Sequence, residues 1–526
     1  MAKITVTNLN DSGAGSLREA ITEANPGDTI DFASNLAGGT LVLTSGELDI
    51  SKNVTIDGEA DGTDVTIDGN NLSRVFKVDN GDPKSTITAT LNGLVIENGN
   101  TGTYAGGGIY AGGGIYVGGA DILKLSNSTV TGNVAGENNG GGIDAAAHAQ
   151  VSLTNVTLSD NAASGVGSGG AIYATDGAVI GLTNCTVSGN SAGFGGGGIE
   201  ARGESYVGLM NTTVSGNIAF QFGGGILNFG AGGYTTLTNS IVAGNQSLAG
   251  DDLVGGFSGY YSKLTFTGGN LVGSAPEGFA SVSGAPTVQI NGASQSDLET
   301  VFASVGPNPA TGVVSGTLAN NGGPAETIAL ADSAINPAID AGDDLLAGVP
   351  STDARGFARS DFPGVANNGA SISDLGAFEV SNQIVVTTLD DTVDPNDGLT
   401  SLREALTLAN SSAGNVTITF DPSLAGGILT LDQSLGLLKI TANDITIDGD
   451  INGDGAPDIT ISGGNNTAVL FTAINGNIHT TLDGLVIENG YASPTTGFGG
   501  GIFVGDHDSL TLTNSIIADN SAADGG

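Results

Sequence analysis

Two groups of residues in this sequence have types and spacings that could support chemistry. The first group lies in the segment DGDINGDGAPD, fits the pattern D-x-N-x-D-G-x-x-D, and consists of Asp450, Asn452, Asp454 and Asp458. Alternating oxygen ligands in a tight loop can supply many of the about 6–8 oxygens that Ca²⁺ prefers. The twelfth position of this loop is Ile461 rather than the glutamate of an EF-hand, so an ordinary polar turn between strands stays open as the alternative. The spacing predicts a Ca²⁺ site.

The second group combines two carboxylates with a tyrosine and an arginine. Asp144, Tyr173 and Glu200 each follow a GGGI or GGAI motif, and Arg202 lies just beyond Glu200. If these motifs stack at about 4.8 Å, the two carboxylates lie about 9–10 Å apart, at the upper end of the range for an inverting glycosidase. Asp144, Glu200 and Arg202 are therefore candidate catalytic residues. The alternative is a solvated face of the fold, which the absence of Trp favours because few rings are available for sugar stacking.

The glycine motifs belong to a short repeat. The segment LSNSTVTGN returns four times in altered form, and its final asparagine recurs at intervals of 28, 29, 27 and 28 residues. The isoleucine that ends each glycine motif recurs at intervals of 28, 29, 27 and 27 residues. Alternating apolar residues rich in Thr, Val and Ile indicate strands, and a helix-free repeat of this length is typical of one turn of a solenoid. The sequence predicts an all-β parallel β-helix.

The asparagines that end these segments predict a stack at one corner of the solenoid. They are Asn133, Asn161, Asn190, Asn217 and Asn245. Asparagine tolerates the left-handed backbone of a tight turn, and its amide can hydrogen-bond the equivalent residue one turn along. We expect these asparagines to adopt a left-handed backbone and to hydrogen-bond one another along the stack.

A longer repeat predicts two capping helices. GSLREAITEAN returns as TSLREALTLAN 385 residues later, and LNGLVIENG returns as LDGLVIENG 391 residues later. In each SLREA segment an S-x-x-E capping box can start a short helix, formed by Ser16 with Glu19 and by Ser401 with Glu404. A helix at this position would cover strand edges that a solenoid end otherwise exposes.

The two repeats together suggest a domain plan. We expect a capped β-helix over residues 1–250 and an irregular β-rich closing module over residues 251–381. Residues 382–526 are expected to be the start of a second, truncated β-helix.

The motifs taken together resemble a known family. SLREA, TIDG, LxGLxIxNG and the GGGI and LTNSTVSGN repeats resemble bacterial CSLREA-type, right-handed parallel β-helix surface proteins. NPAIDAGDD, ARGFARSD and DLGAFE resemble the choice-of-anchor-like module that closes such units. The leading cysteine of the family motif is Gly15 in the first copy and Thr400 in the second. The resemblance implies a right-handed β-helix in a secreted or cell-surface protein.

Composition and charge narrow the function further. A net charge of −41 opposes binding to nucleic acid and to anionic membranes, and the sequence has no apolar run long enough to span a membrane. We expect a non-catalytic structural or adhesin-like protein, extracellular or on the bacterial surface, with Ca²⁺ as the one suggested cofactor. Its expected partner is a surface glycan, a protein receptor or another copy of itself. The alternative is a polysaccharide lyase or glycoside hydrolase.

Overall fold

The chain forms two compact units, Met1–Val380 and Ser381–Gly526. The computed structural model describes residues 2–60, 63–102, 112–256, 262–321, 323–360, 362, 365, 367, 371–380, 383–393, 399–411, 416–472, 478–493 and 499–523. In each unit, parallel strands from successive turns pair into sheets that run along a solenoid. The predicted all-β parallel β-helix is therefore confirmed. None of the helices in the described ranges is long and apolar enough to cross a membrane.

The largest sheet of the first unit is parallel apart from one short hairpin between Glu59–Ala60 and Thr63–Asp68. We call it the long sheet. Its strands are Lys3–Val6, Asp28–Phe32, Thr40–Val42, Val54–Asp57, Glu59–Ala60, Thr63–Asp68, Thr88–Asn92, Leu94–Glu97, Ile122–Thr131, Gln150–Ser159, Val179–Thr183, Thr186–Ser188, Tyr206–Met210, Thr213–Ser215, Tyr234–Val242, Lys263–Val272, Ser281–Ser283 and Val288–Gln289.

Two smaller parallel sheets complete the turns. The eight-stranded sheet consists of Leu48–Ile50, Phe76–Val78, Ile115–Val117, Ile143–Ala145, Ile172–Ala174, Ile199–Arg202, Ile226–Phe229 and Leu253–Val254. The three-stranded sheet consists of Ala162–Ala163, Ser191–Ala192 and Ile218–Ala219. Strands of both the long and the eight-stranded sheet continue beyond residue 250, so the solenoid extends past the boundary that we expected from the repeats.

The core is built from residues that stack on their own equivalents. Leu125 pairs with Leu91 in the turn before it and with Leu153 in the turn after it, and Leu182 and Leu209 continue the row. Each of these side chains is at most 1% exposed. Because alternate residues of a strand face opposite sides, the alternating pattern fills the interior with aliphatic rows.

The five corner asparagines form a buried ladder. Oδ1 of Asn190 accepts hydrogen bonds from the backbone N–H and from Nδ2 of Asn161, both at 3.0 Å. Nδ2 of Asn190 in turn donates to Oδ1 of Asn217 at 2.8 Å and to the carbonyl of Leu158 at 3.0 Å. The same paired contact joins every consecutive pair of the set from Asn133 to Asn245. The ladder thus satisfies backbone donors where the chain leaves the sheet.

The expectation that these asparagines adopt a left-handed backbone is wrong. The positive φ angles, between 47° and 54°, belong instead to an asparagine six residues earlier in each repeat: Asn127, Asn155, Asn184, Asn211 and Asn239. That residue makes the bend between two strand segments, whereas the ladder residue needs its side chain turned inward.

The glycine triplets before the strands of the eight-stranded sheet supply a second left-handed position. The first glycine of the triplet has the positive φ, as at Gly196 (φ 61°). A Cβ on the next residue, Gly197, would lie 2.4 Å from the carbonyl oxygen of Gly224.

Each unit has a capping helix near its start, Leu17–Glu23 in the first and Leu402–Ser411 in the second. Oγ of Ser16 accepts from the backbone N–H of Glu19 at 3.3 Å, and the Glu19 carboxylate accepts from the N–H of Gly15 at 2.7 Å. In the second copy Ser401 and Glu404 bond each other reciprocally, at 3.2 and 2.8 Å.

Within the first unit the closing module packs along the side of the solenoid, where it hydrogen-bonds residues of several turns, among them Thr157, Asn184 and Asn239. It contains a helix at Gln295–Leu298 and two antiparallel strand pairs, Val305–Pro307 with Val314–Gly316 and Leu318–Ala319 with Thr327–Ile328. Its apolar side chains share a core with the solenoid residues Ile241 and Leu271. The buried ion pair of Arg359 with Glu379, at 2.7 Å, lies in this module.

The second unit repeats the winding of the first, and its described residues form four short parallel sheets. One sheet contains Gln383–Val386, Val416–Phe420, Ile445–Asp448, His479–Asp483 and Ser509–Thr513, and another contains Ile428–Thr430, Ile459–Ser462, Leu485–Glu488 and Ile516–Ala518. The others contain Leu438–Ile440, Leu470–Thr472 and Ile502–Phe503, and Tyr491–Ala492 with Ser521–Ala522. Single 3₁₀ turns lie at Ser34–Leu36 in the first unit and Pro422–Leu424 in the second.

The asparagine ladder ends on an aspartate. Oδ1 of Asp252 accepts from the backbone N–H and from Nδ2 of Asn245, at 3.3 and 2.9 Å. Asp252 is fully buried, and its Oδ2 has no hydrogen-bond partner in the described part of the chain. Burial raises the pKa of Asp252 to about 7, and the hydrogen bonds from Asn245 oppose that rise. A group that the fold prefers to keep neutral thus occupies the place where the next asparagine would lie.

We expect Asp252→Asn to stabilise the protein at alkaline pH. The unfolded chain ionises near the ordinary value of 3.8, whereas the folded carboxyl holds its proton to about pH 7. The contribution of Asp252 to the free energy of unfolding is therefore fully present below about pH 4. It falls by about 4 kcal/mol as the pH rises from there through 7. Urea unfolding between about pH 4 and 8 should show a gain for the variant that grows with pH. Asp251→Asn removes the same charge one residue away, and an equal, pH-independent difference for both variants would contradict the prediction.

Candidate functional site

One row of side chains on the eight-stranded sheet points away from the core. Lys77, Tyr116, Asp144, Tyr173 and Glu200 occupy directly paired positions on five consecutive strands, and we call this row the outward column. The residues on either side of each member are apolar and lie in the core. Tyr173 lies between the two carboxylates of the column, Asp144 and Glu200, so like charges are not direct neighbours.

A cleft of about 740 Å³ opens over part of the outward column. Its lining includes Lys77, Tyr116, Asp144 and Tyr173 from the column, with Arg74 and Asp176 beside them. Asp144 is only 3% exposed, and Tyr116 and Tyr173 are 5% and 8% exposed. The alternative of a solvated face is therefore wrong for these positions, because loops on both sides of the sheet enclose them.

Glu200 lies outside this cleft and is paired with Arg202. The glutamate is fully buried, and its Oε1 accepts a hydrogen bond from Nε of Arg202. The guanidinium carbon lies 5.8 Å from the ring centroids of Tyr173, Phe194 and Phe229. Burial raises the pKa of Glu200, and the charge of Arg202 opposes that rise. The structure therefore keeps Asp144 and Glu200 two strands apart but does not turn both carboxylates into one cavity.

Tyr173 separates the two carboxylates and is itself kept neutral. Burial raises its pKa to about 12, against the opposing charge of Arg202. A phenol with that pKa keeps its proton at neutral pH and can donate a hydrogen bond to a ligand in the cleft.

Arg74 and Lys77 supply the positive charge of the cleft. Nε of Arg74 donates to Oε2 of Glu47 at 2.5 Å, and its guanidinium carbon lies 5.2 Å from the centre of the Tyr116 ring. Nζ of Lys77 lies 3.7 Å from Oδ1 of Asp49 and 3.6 Å from Oδ2 of Asp79. Sequence reasoning missed Arg74 because its turn, SRVFKV, lacks the glycine motif that marks the others; only the register of the strands brings it to Tyr116.

In the acidic loop from Asp450 to Asp458, the side-chain oxygens accept hydrogen bonds from within the loop. Both carboxylate oxygens of Asp450 accept backbone N–H bonds, from Asp454 at 3.1 Å and from Gly455 at 2.8 Å. Asp458 accepts from the backbone and the amide of Asn452 at 3.2 and 3.3 Å. Across the described ranges, no three His, Cys, Asp or Glu side chains form a group that could hold a metal ion. The Ca²⁺ prediction therefore depends on the sequence spacing alone.

Comparison with known proteins agrees with this architecture. The family model described as a right handed beta helix region matches residues 113–294, which include the outward column from Tyr116 to Glu200. Together with the strand topology, this match makes the chain a right-handed parallel β-helix protein. No match is found among curated proteins.

Solved structures with a low similarity to this chain include a pectate lyase and an alginate lyase. The pectate lyase Pel9A is 15% identical, with a TM-score of 0.37, over 72% of this chain and 96% of its own. The PL6-family alginate lyase AlyGC is 12% identical, with a TM-score of 0.20, over 98% of this chain and 76% of its own. A mutant of AlyGC gives 10% identity and the same TM-score, over 99% and 81%. Likenesses this low carry no argument about activity or substrate.

We expect Arg202→Ala to destabilise the protein through the partner that it leaves behind. Without Arg202 the buried carboxylate of Glu200 loses its counter-ion, which should lower the free energy of unfolding by about 3 kcal/mol near pH 8. The loss should shrink at acidic pH, where the raised pKa of Glu200 lets the carboxyl take up a proton.

The double variant Glu200→Gln/Arg202→Ala separates this effect from lost packing. It should recover most of the loss near pH 8 in the same urea titration, because no buried charge is left unpaired. Lys124→Ala, which removes an exposed cation from the long sheet, is the control. A double variant no more stable than Arg202→Ala would show that the ion pair is not the cause.

Proposed function

We propose that the protein is a non-catalytic, extracellular or cell-surface adhesive solenoid that binds an extended glycan in the cleft of the eight-stranded sheet. The observation that carries the proposal is the row Tyr116, Asp144 and Tyr173, which lies in one cleft with Arg74. The resemblance to CSLREA-type proteins and to their closing module supports the extracellular location.

The chemistry of the cleft suits a polyhydroxylated ligand. Neutral phenols can donate to and accept from sugar hydroxyls, and Asp144 can accept from them. The volume, about 740 Å³, lies within the range of cavities that hold small ligands or short segments of a chain. A rigid solenoid positions these groups before the ligand arrives, which lowers the entropic cost of binding.

A second candidate, a polysaccharide lyase or glycoside hydrolase, is favoured by the position of Asp144. It is a nearly buried carboxylate that lines a cleft, as a catalytic acid or base would. The carboxylate expected to work with it, Glu200, is fully buried against Arg202. For this reason we place binding before catalysis.

Glycan binding can be tested with a panel of neutral and acidic oligosaccharides. We expect wild type to retain at least one class, and Tyr116→Phe with Tyr173→Phe to weaken binding about tenfold because two hydroxyl contacts are lost. Tyr206→Phe, on the long sheet away from the cleft, is the matched control. The same incubations should release no reducing or unsaturated sugars. Release that Asp144→Ala abolishes would support the enzyme instead, and a panel without any binding would refute the proposal.

We further propose that the loop from Asp450 to Asp458 binds Ca²⁺. Millimolar Ca²⁺ should then raise the Tm of wild type, because an ion bound only by the folded state stabilises it. Asp454→Ala should lose this response, whereas Asp506→Ala, an exposed aspartate outside the loop, should keep it. No shift of the wild-type Tm would remove Ca²⁺ from the description of this protein.

A further inference from the structure

The closing module is bonded to the long sheet through groups that the sheet turns away from its core. The backbone N–H of Gly376 donates to the carbonyl of Asn239 at 2.8 Å. The backbone N–H of Ala377 donates to Oγ1 of Thr213 at 3.1 Å. Segment 371–380 of the module therefore lies directly on the sheet, and these two amides report on the contact.

Arg359 lies directly behind this contact and connects the two sides. Its Nη1 donates to Oε2 of Glu379 at 2.7 Å. Its Nη2 donates to the carbonyl of Gly376 at 3.2 Å and to Oδ1 of Asn184 at 3.3 Å. One guanidinium thus joins a carboxylate of the module to a side chain of the solenoid, and with 2% of its side chain exposed it does so out of reach of water.

Four carboxyl groups and two guanidinium groups are buried together behind the contact: Asp340, Asp353, Asp374, Glu379, Arg355 and Arg359. Backbone amides tie the carboxyls to one another, since Glu379 accepts from the N–H of Asp374 at 2.9 Å and Asp374 accepts from the N–H of Asp340 at 2.8 Å. Two positive charges balance two ionised carboxylates. The set is therefore neutral only when two of its four carboxyls hold protons.

Two of these carboxyls hold their protons to unusually high pH. Burial raises the pKa of Glu379 to about 7, and the charge of Arg359 opposes that rise. Burial and then the charge of Glu379 raise the pKa of Asp374 well above its usual range. Asp353 faces Glu379 and Asp340 faces Asp374, and both negative charges act in the same direction. A rise in pH therefore leaves the buried set with an excess of negative charge.

One further carboxyl pair lies across the seam between the module and the long sheet. Oγ1 of Thr157 donates to the carbonyl of Glu326, which places this residue of the module on the sheet. Burial and the charge of Asp160, which belongs to the solenoid, raise the pKa of Glu326. Burial also raises the pKa of Asp160. Ionisation of this pair adds like charges on both sides of the seam.

We propose that the buried carboxyl groups make the closing module a proton-dependent cover of the long sheet. While two of the four hold protons, the charges of Arg355 and Arg359 are balanced and segment 371–380 stays bonded to the sheet. When those two ionise, the uncompensated charge favours an open state in which water reaches the carboxylates. Opening uncovers outward side chains of the long sheet. It does not involve the cleft of the eight-stranded sheet, so this inference goes beyond the function proposed above.

Hydrogen exchange of the full chain, followed by mass spectrometry, measures this opening at the amides of Gly376 and Ala377. Labelling times are scaled at each pH so that a free peptide exchanges to the same extent. The closed state is favoured below the raised pKa of Glu379 and is lost as the pH rises through it. A pKa of about 7 in the closed state and the ordinary 4.5 in the open state makes opening about tenfold more favourable at about pH 8.5 than at about pH 6. Protection of the two amides should fall at least that much relative to strand Gln150–Ser159.

Two variants assign the effect to the buried carboxyls. Asp374→Asn/Glu379→Gln removes both groups that ionise and should lose most of the pH dependence. Glu299→Gln removes an exposed carboxylate of the same module and should keep it. A double variant with the pH dependence of wild type would overturn the assignment to these two residues.

Wild type decides the proposal even where the double variant fails to fold. Protection of the two module amides that does not change between the two pH values would overturn the proposal. An equal loss of protection in the module and in strand Gln150–Ser159 would also overturn it, because the whole unit would then be unfolding rather than the cover opening.

Discussion

Parallel stacking in register places each residue about 4.8 Å from its equivalent in the next turn, and the other features of this molecule depend on that spacing. A side chain in such a fold must be compatible with its own copies above and below. Leucine meets the condition by forming continuous aliphatic rows, and asparagine meets it because one amide both donates and accepts. An ionised group does not, because its equivalent would bring a like charge to the same distance.

The same constraint explains the composition of the outward column. Lys77, Tyr116, Asp144, Tyr173 and Glu200 differ from turn to turn, although the apolar residues on either side of them repeat. The inward positions repeat because they build the core, whereas the outward position is free to vary. This variation places different chemical groups side by side on the outer side of the solenoid. Asp252 shows the cost of departing from the rule inside the core, since its carboxyl ends the asparagine ladder with one oxygen that no described residue hydrogen-bonds.

Positive charge is scarce in this chain, and its distribution follows from burial. Arg18 and Arg403 join the start of each unit to a loop by bonding Asp11 or Asp391 together with backbone carbonyls. Arg359 holds the buried Glu379 in the closing module. A carboxylate enclosed by protein needs a counter-ion or a proton, so the fold uses its arginines where acidic groups are buried. Lysines lie mainly at the surface, where the acidic excess is solvated.

Much of the architecture could be predicted from the sequence because the repeat carries it. The intervals of 27 to 29 residues between equivalent asparagines predict a solenoid turn, and the alternating apolar residues predict which side chains face inward. The capping boxes at Ser16 and Ser401 are equally local, because a box is complete within four residues. These features depend on interactions along one turn or between identical turns.

The site depended on information that no single repeat contains. Spacing predicts that Asp144 and Glu200 are two turns apart, but the packing of the turns decides that Glu200 is bound by Arg202, whose guanidinium lies against three rings. Arg74 reaches Tyr116 from a turn without the motif, and the left-handed bend falls on Asn184 rather than Asn190. The sequence by itself determined the period and the inward faces, since those follow from local pattern. Only the tertiary structure decided which outward side chains are buried, paired or open to a cleft, because burial and electrostatics depend on neighbours from other turns.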